Sequence, residues 1–370
     1  MIIKKFRAKN FRNISECEIE FKSGVNILLG ENAQGKTNAI EGIYLFARGK
    51  SHRAKEDKEL ISFGKDGFSI GIEYDDKLGD NTLEYTLYGR ERRRKKNGYK
   101  IDKAKDFVGN FKSVLFTPDD LRLVKDGPEE RRAFLNVAIG QIYPSYLSFY
   151  ASYKNALENR NALIKKANNG DFIDRNEIDS WSETLAKFAT DIYIFRRDYI
   201  KKLELYAKRV VLDISEGNEE ISFHYKSNVD NEYTERADIE RVYKEKLTQN
   251  TEREIAAGIT LYGVHRDDLE IYLNGKEARI YSSQGQSRSI VLALKIAEGE
   301  VNREICGEYP VFLFDDVLSE LDEKRRKYLL GEIKNKQIII SSCERDFIDG
   351  ISDEIIKVEG GKYTYVSSHR

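Results

Sequence analysis

The chain has 370 residues, with 62 Lys and Arg against 63 Asp and Glu, and so a formal net charge of −1 at pH 7. Hydrophobic residues make up 40% and charged residues 34%, enough apolar material for a core under a densely charged surface, which excludes a disordered or collagen-like protein. No stretch approaches the ~18 consecutive apolar residues of a membrane helix, and Met1 to Arg7 carry no secretory pattern. Cys17, Cys306 and Cys343 are scattered without a CxxC pair, which argues against a disulfide framework or a zinc site. A cytoplasmic globular protein of about two to three domains, with no membrane partner, is expected.

Apolar and polar residues alternate at the start, predicting strands over Ile2 to Ala8, Cys17 to Phe21, Val25 to Leu29, Phe68 to Tyr74 and Thr82 to Tyr88. Between them, Lys36 to Ala47 places Ile40, Ile43 and Tyr44 at the spacing of a helix packed on a sheet. From about Pro118 to Glu254 the chain turns to long, charge-laced helical stretches, Tyr143 to Asn168 and Arg175 to Leu212, with a strand signal only at Ile221 to Tyr225. Strand and helix signals then alternate again. Leu269 to Leu273 reads as a strand and Gly285 to Arg303 as a helix; Val311 to Phe314 and Gln337 to Ser341 are buried strands flanking a helical Glu323 to Asn335. The expected fold is α/β, a head of mixed β-sheet with helices over 1–115 and 257–370, split by an inserted, mainly helical domain over 116–256.

Residues Gly30-Glu31-Asn32-Ala33-Gln34-Gly35-Lys36-Thr37 have the spacing G-x-x-x-x-G-K-[ST] of a phosphate-binding loop. The flanking glycines let the backbone curl with its N–H groups inward, Lys36 reaches the β and γ phosphates of ATP, and Thr37 ligates Mg²⁺. The strand before this loop and the helix after it are the context that chemistry requires. A second acid is needed near the metal, and the buried strand ending in Asp315-Asp316 supplies it. Asp315 is expected to hold Mg²⁺, directly or through water, and Asp316 to orient the attacking water; two aspartates capping a turn are the alternative.

Ser283-Gln284-Gly285-Gln286 is similar to the signature of ABC-type ATPases, and Val317-Leu318-Ser319-Glu320-Leu321-Asp322 resembles their D-loop. A plain N-cap stays open for Ser283. The long gap between Lys36 and the signature resembles the SMC-like branch, and the whole pattern resembles the RecF family. That resemblance extends over Lys9-Asn10-Phe11-Arg12-Asn13, Phe116-Thr117-Pro118-Asp119-Asp120-Leu121, Gly127-Pro128-Glu129-Glu130-Arg131-Arg132 and His265-Arg266-Asp267-Asp268-Leu269. It implies an ABC-type P-loop ATPase head and an ATP-dependent homodimer. Each nucleotide would lie between the phosphate loop of one subunit and the signature of the other, with Ser319 and Asp322 at the seam. It also implies an ATP-switched DNA clamp at single-strand gaps or junctions, acting with RecR to assist RecA loading. Asp316 in place of the Glu of transporters, and Ser342-Cys343-Glu344 without a switch His, imply slow hydrolysis.

By the same resemblance Arg12 contacts ATP, with an ordinary surface arginine as the alternative. Arg92, Arg93, Arg94, Lys95 and Lys96 form a dense basic run after a strand and before the turn signal Asn97-Gly98, a basic hairpin tip that contacts DNA phosphates or is only a solvated face. Lys50-Ser51-His52-Arg53 reaches nucleotide or DNA, or is a solvated loop. Arg131-Arg132 is read as salt-bridged, and His265 to Asp268 as a structural polar network linking the two domains. Two other functions fit the motifs less well. An ATP-driven nuclease with an SMC-like head needs a metal-binding domain for which the chain up to Arg370 leaves no room; a transporter subunit needs a short gap before the signature.

Overall fold

The structure is a computed structural model that describes residues 1–229, 233–332, 336–343 and 352–366. The chain divides into two compact units, one of Met1–Leu121, Tyr206–Glu219 and Ser283–Arg370, the other of Arg122–Leu205 and Glu220–Ser282. The boundaries expected at 116 and 257 therefore differ from these. Strand β9 (Ile221–Lys226) pairs antiparallel with β10 (Asp268–Leu273), and β10 with β11 (Lys276–Glu277), so that residues up to Ser282 stay with the second unit. The long helix Arg175–Ile214 contributes its last turns, from Tyr206, to the first unit.

Among the described residues the first unit holds two six-stranded sheets. One is antiparallel, in the order β2 (Ile14–Glu20), β1 (Ile2–Phe11), β4 (Gly67–Asp76), β5 (Gly79–Tyr88), β6 (Glu91–Lys96), β7 (Tyr99–Lys100). In β4 and β5 every second residue is buried, Phe68, Ile70, Ile72 and Tyr74 against Leu83, Tyr85 and Leu87, which is the period of a half-buried strand. The other runs β15 (Lys362–Tyr365), β14 (Glu354–Glu359), β3 (Val25–Leu29), β13 (Ile338–Ser342), β12 (Val311–Asp315), β8 (Ser113–Phe116). All its neighbours are parallel except the β14–β15 hairpin. Val311 to Phe314 of β12 and Ile338 to Ile340 of β13 are buried apolar runs, as strands covered on both faces require.

The first helix, Lys36–Arg48, touches β1 of one sheet and β8, β12 and β13 of the other, and Ala39 to Ala47 are all buried. It is a core helix rather than the one-faced helix expected. Gly42 permits this: a Cβ there would lie 2.6 Å from the Phe6 ring and 3.3 Å from the Phe11 ring. The predicted helix Glu323 to Asn335 is seen as Glu323–Glu332, its last three residues lying outside the described ones.

The second unit is built on buried polar groups. Arg160 and Glu254, both fully buried, pair at 2.6 Å. Arg196 donates to the Val264 carbonyl at 2.8 Å and Asn136 at 3.0 Å, and faces Asp267 at 3.5 Å. Tyr153 OH and His265 Nδ1 lie 2.5 Å apart. Burial drives His265 down to about 4 and Asp267 up to about 6, Arg196 opposing the latter. Arg131 pairs with Asp268 at 2.7 Å. The polar network expected around His265 is present, but every partner named lies inside this unit, so it stiffens the insertion rather than linking two domains.

Gly42→Ala tests the close packing of the first helix. Alanine gains about 1 kcal/mol of helix propensity, but overpacking against Phe6 costs about 1 to 3 kcal/mol. The expected result is a net loss near 1 kcal/mol in urea unfolding, and a midpoint that rises would show the contact is not tight.

Candidate functional site

The loop Gly30–Thr37 leaves β3 and runs into the first helix. Gly35 stands at the helix start with φ 118° and ψ 2°, a left-handed conformation, and no side chain caps the helix. The leading N–H groups are thus open to an anion. Lys36 is buried, and its Nζ donates to the carbonyls of Gly30 at 2.6 Å and Glu31 at 3.0 Å, bonds that a phosphate oxygen can replace.

β12 ends beside this loop because β12, β13 and β3 are adjacent and parallel. The Asp315 carboxylate accepts from Thr37 Oγ1 at 2.9 Å and Ser341 Oγ at 2.7 Å. Burial pushes the Asp315 carboxyl up; the Ser341 and Thr37 hydroxyls oppose this, the Asp316 charge reinforces it, and the result stays above the ordinary value. Asp316 takes φ 53°, unusual for a non-glycine residue, and its N–H donates to Ser341 Oγ at 2.8 Å. A hydroxyl and a carboxylate side by side, in a site that penalises the unneutralised acid, are oxygen donors that fit Mg²⁺.

A cavity of about 310 Å³ opens over this group, lined by Asn32, Ala33, Gly35, Lys36, Thr37 and Asn38 and by Asn13, Arg53 and Asp316. Gly30, Glu31 and Gln34, also expected to bind nucleotide, line a separate recess with Lys357 and Val358. The β14–β15 hairpin supports that side of the loop. Gly360 N–H donates to Gln34 Oε1 at 2.7 Å, Gly361 N–H to the Gln34 carbonyl at 2.9 Å, and Tyr363 OH to the Gly35 carbonyl at 2.9 Å. Sequence reasoning missed this hairpin, whose signal is Gly360-Gly361 between two alternating segments.

Arg12 is not at the cavity. Its guanidinium grips the buried Glu41 at 2.9 and 2.8 Å and donates to the Glu59 carbonyl at 2.9 Å, so that the neighbouring Asn13 faces the loop instead. Arg53, left between nucleotide, DNA and solvent by the sequence, lines the cavity.

Ser283 caps the helix Gln284–Cys306. Its Oγ accepts from Gln286 N–H at 3.2 Å while Gln286 Oε1 accepts from Ser283 N–H at 2.9 Å, a capping box. Ser283 and Gln284 are exposed, and none of Ser283 to Gln286 lines the phosphate cavity. Gly285 lies against Arg325, whose Nη2 is 3.3 Å from where a Cβ would be. Arg325 Nε donates to Ser289 Oγ at 2.8 Å and the guanidinium also pairs with Asp322; Arg288 pairs with Glu320 at 2.6 Å. Ser319 Oγ donates to the Asp316 carbonyl at 3.0 Å. The acid pair, Ser319, Asp322 and the signature helix are therefore joined within one chain.

The basic run is not a hairpin tip. It forms strand β6, whose register with β5 sets Arg92, Arg94 and Lys96 opposite the buried Leu87, Tyr85 and Leu83. Arg92 binds Asp57 at 2.6 Å, Arg94 lies over the Tyr85 ring, and Lys96 donates to Asn110 at 2.9 Å. Arg93 and Lys95 occupy the other face, beside Glu91 at 2.8 Å and Glu84 at 3.7 Å. A period of two divides what the sequence shows as one cluster.

Residues 2–364 match the model of the RecF/RecN/SMC N-terminal domain family. The chain is 37% identical over 368 residues to the DNA replication and repair protein RecF of Clostridioides difficile (strain 630), covering 98% of this chain and 97% of the relative. It superposes on a solved structure of the recombination mediator protein RecF with ATP in the RecFOR pathway, with TM-score 0.92, 32% identity and coverage of 99% and 98% of the two chains. An SMC head bound to the C-winged helix domain of ScpA matches at TM-score 0.57 and 16% identity, covering 99% of this chain and 98% of that one, a likeness of fold alone.

Asp315→Asn tests the acid. Because its carboxyl is raised in the folded state, its charge at neutral pH opposes folding of the nucleotide-free chain, while Asn keeps an acceptor for Thr37 and Ser341. The expected outcome is an unfolding midpoint at pH 7 that holds or rises, with Mg²⁺-dependent ATP hydrolysis lost. A marked fall in the midpoint would sink this account.

Proposed function

The chain belongs to the RecF branch of the RecF/RecN/SMC N-terminal family, and we propose that it is an ATP-switched, DNA-binding homodimer of recombinational gap repair. The observation that carries this reading is the Thr37–Asp315 hydrogen bond, which sets a phosphate loop beside a strand-end acid, with Thr37 and the adjacent Asp316 lining one cavity. The RecF structure with ATP supports the choice of nucleotide. Lys36 exchanges the Gly30 and Glu31 carbonyls for the β and γ phosphates, and the bare helix start receives phosphate oxygens. Thr37 and Asp315 hold Mg²⁺, which neutralises charge on the phosphates when bound.

In the dimer the exposed start of the signature helix at Ser283 faces the γ-phosphate held by the partner subunit, so ATP has affinity mainly for the closed state. Asp316 orients the attacking water. Its short side chain and its backbone bond to Ser341 support slow hydrolysis, a timer that ends the clamped state. Closure gathers basic surface from two subunits, which suits a chain of net charge −1 whose single surface holds DNA poorly. Arg93 and Lys95, exposed on the outer face of β6, are the members of the basic run that we assign to DNA phosphates, which would replace Glu91 and Glu84 as their partners. The setting is the cytoplasm, at single-strand gaps or junctions, with RecR and the RecA loading system as partners; among the described residues no helix is long and apolar enough to cross a membrane.

Light scattering with and without Mg²⁺-ATP tests the switch. Lys36→Met should abolish ATP binding and the ATP-dependent dimer. Ser283→Arg should retain ATP binding by the monomer and lose the dimer, because the signature acts across the seam. A Ser283→Arg chain that no longer binds ATP would contradict the arrangement. Asp316→Asn should slow hydrolysis and lengthen residence on gapped DNA, and faster release would refute the timer.

A further inference from the structure

A buried carboxylate behind the phosphate loop holds both segments that wall the cavity. Glu41 lies one turn beyond Thr37 on the first helix, with its side chain fully buried. Four groups converge on it: Arg12 Nε at 2.9 Å, Arg12 Nη2 at 2.8 Å, Arg53 Nη1 at 3.4 Å, and Ser51 Oγ in a short hydrogen bond. Burial pushes its carboxyl up, but Arg12, Ser51 and Arg53 outweigh burial and hold it below the usual carboxylate range. It is an ionised hub.

Each partner belongs to a segment that reaches the cavity. Arg12 adopts a left-handed φ of 56°, unfavourable for a side-chain-bearing residue, and its grip on Glu41 and the Glu59 carbonyl maintains it. The next residue, Asn13, is thereby set against the loop, its Oδ1 accepting from Asn38 Nδ2 at 2.8 Å. On the other side, Ser51 Oγ accepts from the N–H groups of Arg53 at 2.9 Å and Ala54 at 2.8 Å, and Arg53 Nη1 donates to Asn38 Oδ1 at 3.1 Å. Glu41 does not line the cavity itself. A hub whose purpose was stability alone could be replaced by apolar residues of similar volume. This one ties together the helix that starts at the phosphate loop and the two segments facing it.

We propose that Glu41 is the positioning residue of the nucleotide site: it makes Arg12 a strut rather than a ligand, and sets Asn13 and Arg53 at the distance from the loop that a nucleotide requires. The inference rests on the ATP-binding reading above. Its test is titration of the full chain with a fluorescent ATP analogue in Mg²⁺, with the unfolding midpoint recorded for every variant. Glu41→Gln should weaken binding at least tenfold. Combined with Arg53→Gln it should be no weaker than the worse single variant, because Glu41 acts in part through Arg53. Glu41→Asp keeps the charge but withdraws the carboxylate; it should keep the midpoint and still weaken binding severalfold, which a role in stability alone would not do. Binding by Glu41→Gln within twofold of the unaltered chain, losses that multiply in the double variant, or unchanged affinity in Glu41→Asp would overturn the proposal. Failure of the unaltered chain to bind the analogue would overturn the ATP reading and this role with it.

Discussion

The hydrogen bond from Thr37 to Asp315 joins residues 278 positions apart, and the first unit is organised to make it. It requires β3, β13 and β12 to lie side by side and parallel, so that loop, Ser341 and acid emerge at the same edge. Parallel neighbours in turn require crossovers that cover the sheet, which is why these strands are largely apolar up to the polar residues at their ends and why Ala39 to Ala47 of the first helix are all buried. The site stands where ligands gather in open α/β sheets, beyond the carboxyl ends of the strands.

Around that bond the chain arranges charge in pairs. The outer face of the antiparallel sheet sets Lys5 and Arg7 of β1 against Glu18 and Glu20 of β2 and Glu73 of β4. Such exposed pairs add little stability, on the order of 0 to 1 kcal/mol each, but they cancel locally, so that the nearly equal numbers of the two signs, 62 against 63, are interleaved on this face. At the Asp315–Asp316 corner the two acids meet the hydroxyls of Thr37 and Ser341, the setting in which a cation would be held. Pairs with a buried member serve a different end: Arg160–Glu254 and Arg131–Asp268 in the second unit, and Arg12–Glu41 in the first, link segments distant along the chain.

The signature helix belongs to the same mechanical body as the acid pair. Arg325 lies against Gly285 and bonds Ser289 and Asp322, and Arg288 holds Glu320, so side chains tie the turn after Asp316 to the start of this helix. The absence of a side chain at Gly285 makes room for Arg325, whereas at Gly35 it serves backbone geometry. Two glycines of two motifs thus answer to different constraints.

The sequence by itself determined what depends on near neighbours. A phosphate loop is one strand, one turn and one helix; an N-cap such as Ser283 needs only the first turn of its helix; an apolar run ending in two aspartates reads the same in any context. These elements stand where spacing places them, as does the split of an α/β head by a largely helical insertion. What it left undecided depends on pairing across long separations. The five-residue basic run reads as one patch, but pairing with β5 assigns alternate residues to opposite faces. Arg12 reads as a ligand, but Glu41, drawn to it by folding of the first helix against β1, takes its guanidinium. Asn13 lies in a stretch whose Arg12 draws the nucleotide reading, and the Gly360-Gly361 turn signal does not say what the β14–β15 hairpin will support; only the closing of the sheets brings both to the loop. Local chemistry is written in adjacent residues, whereas the partner of a charge is chosen by the tertiary fold, because a Coulombic or hydrogen-bonded contact depends on distance in space and not on distance along the chain.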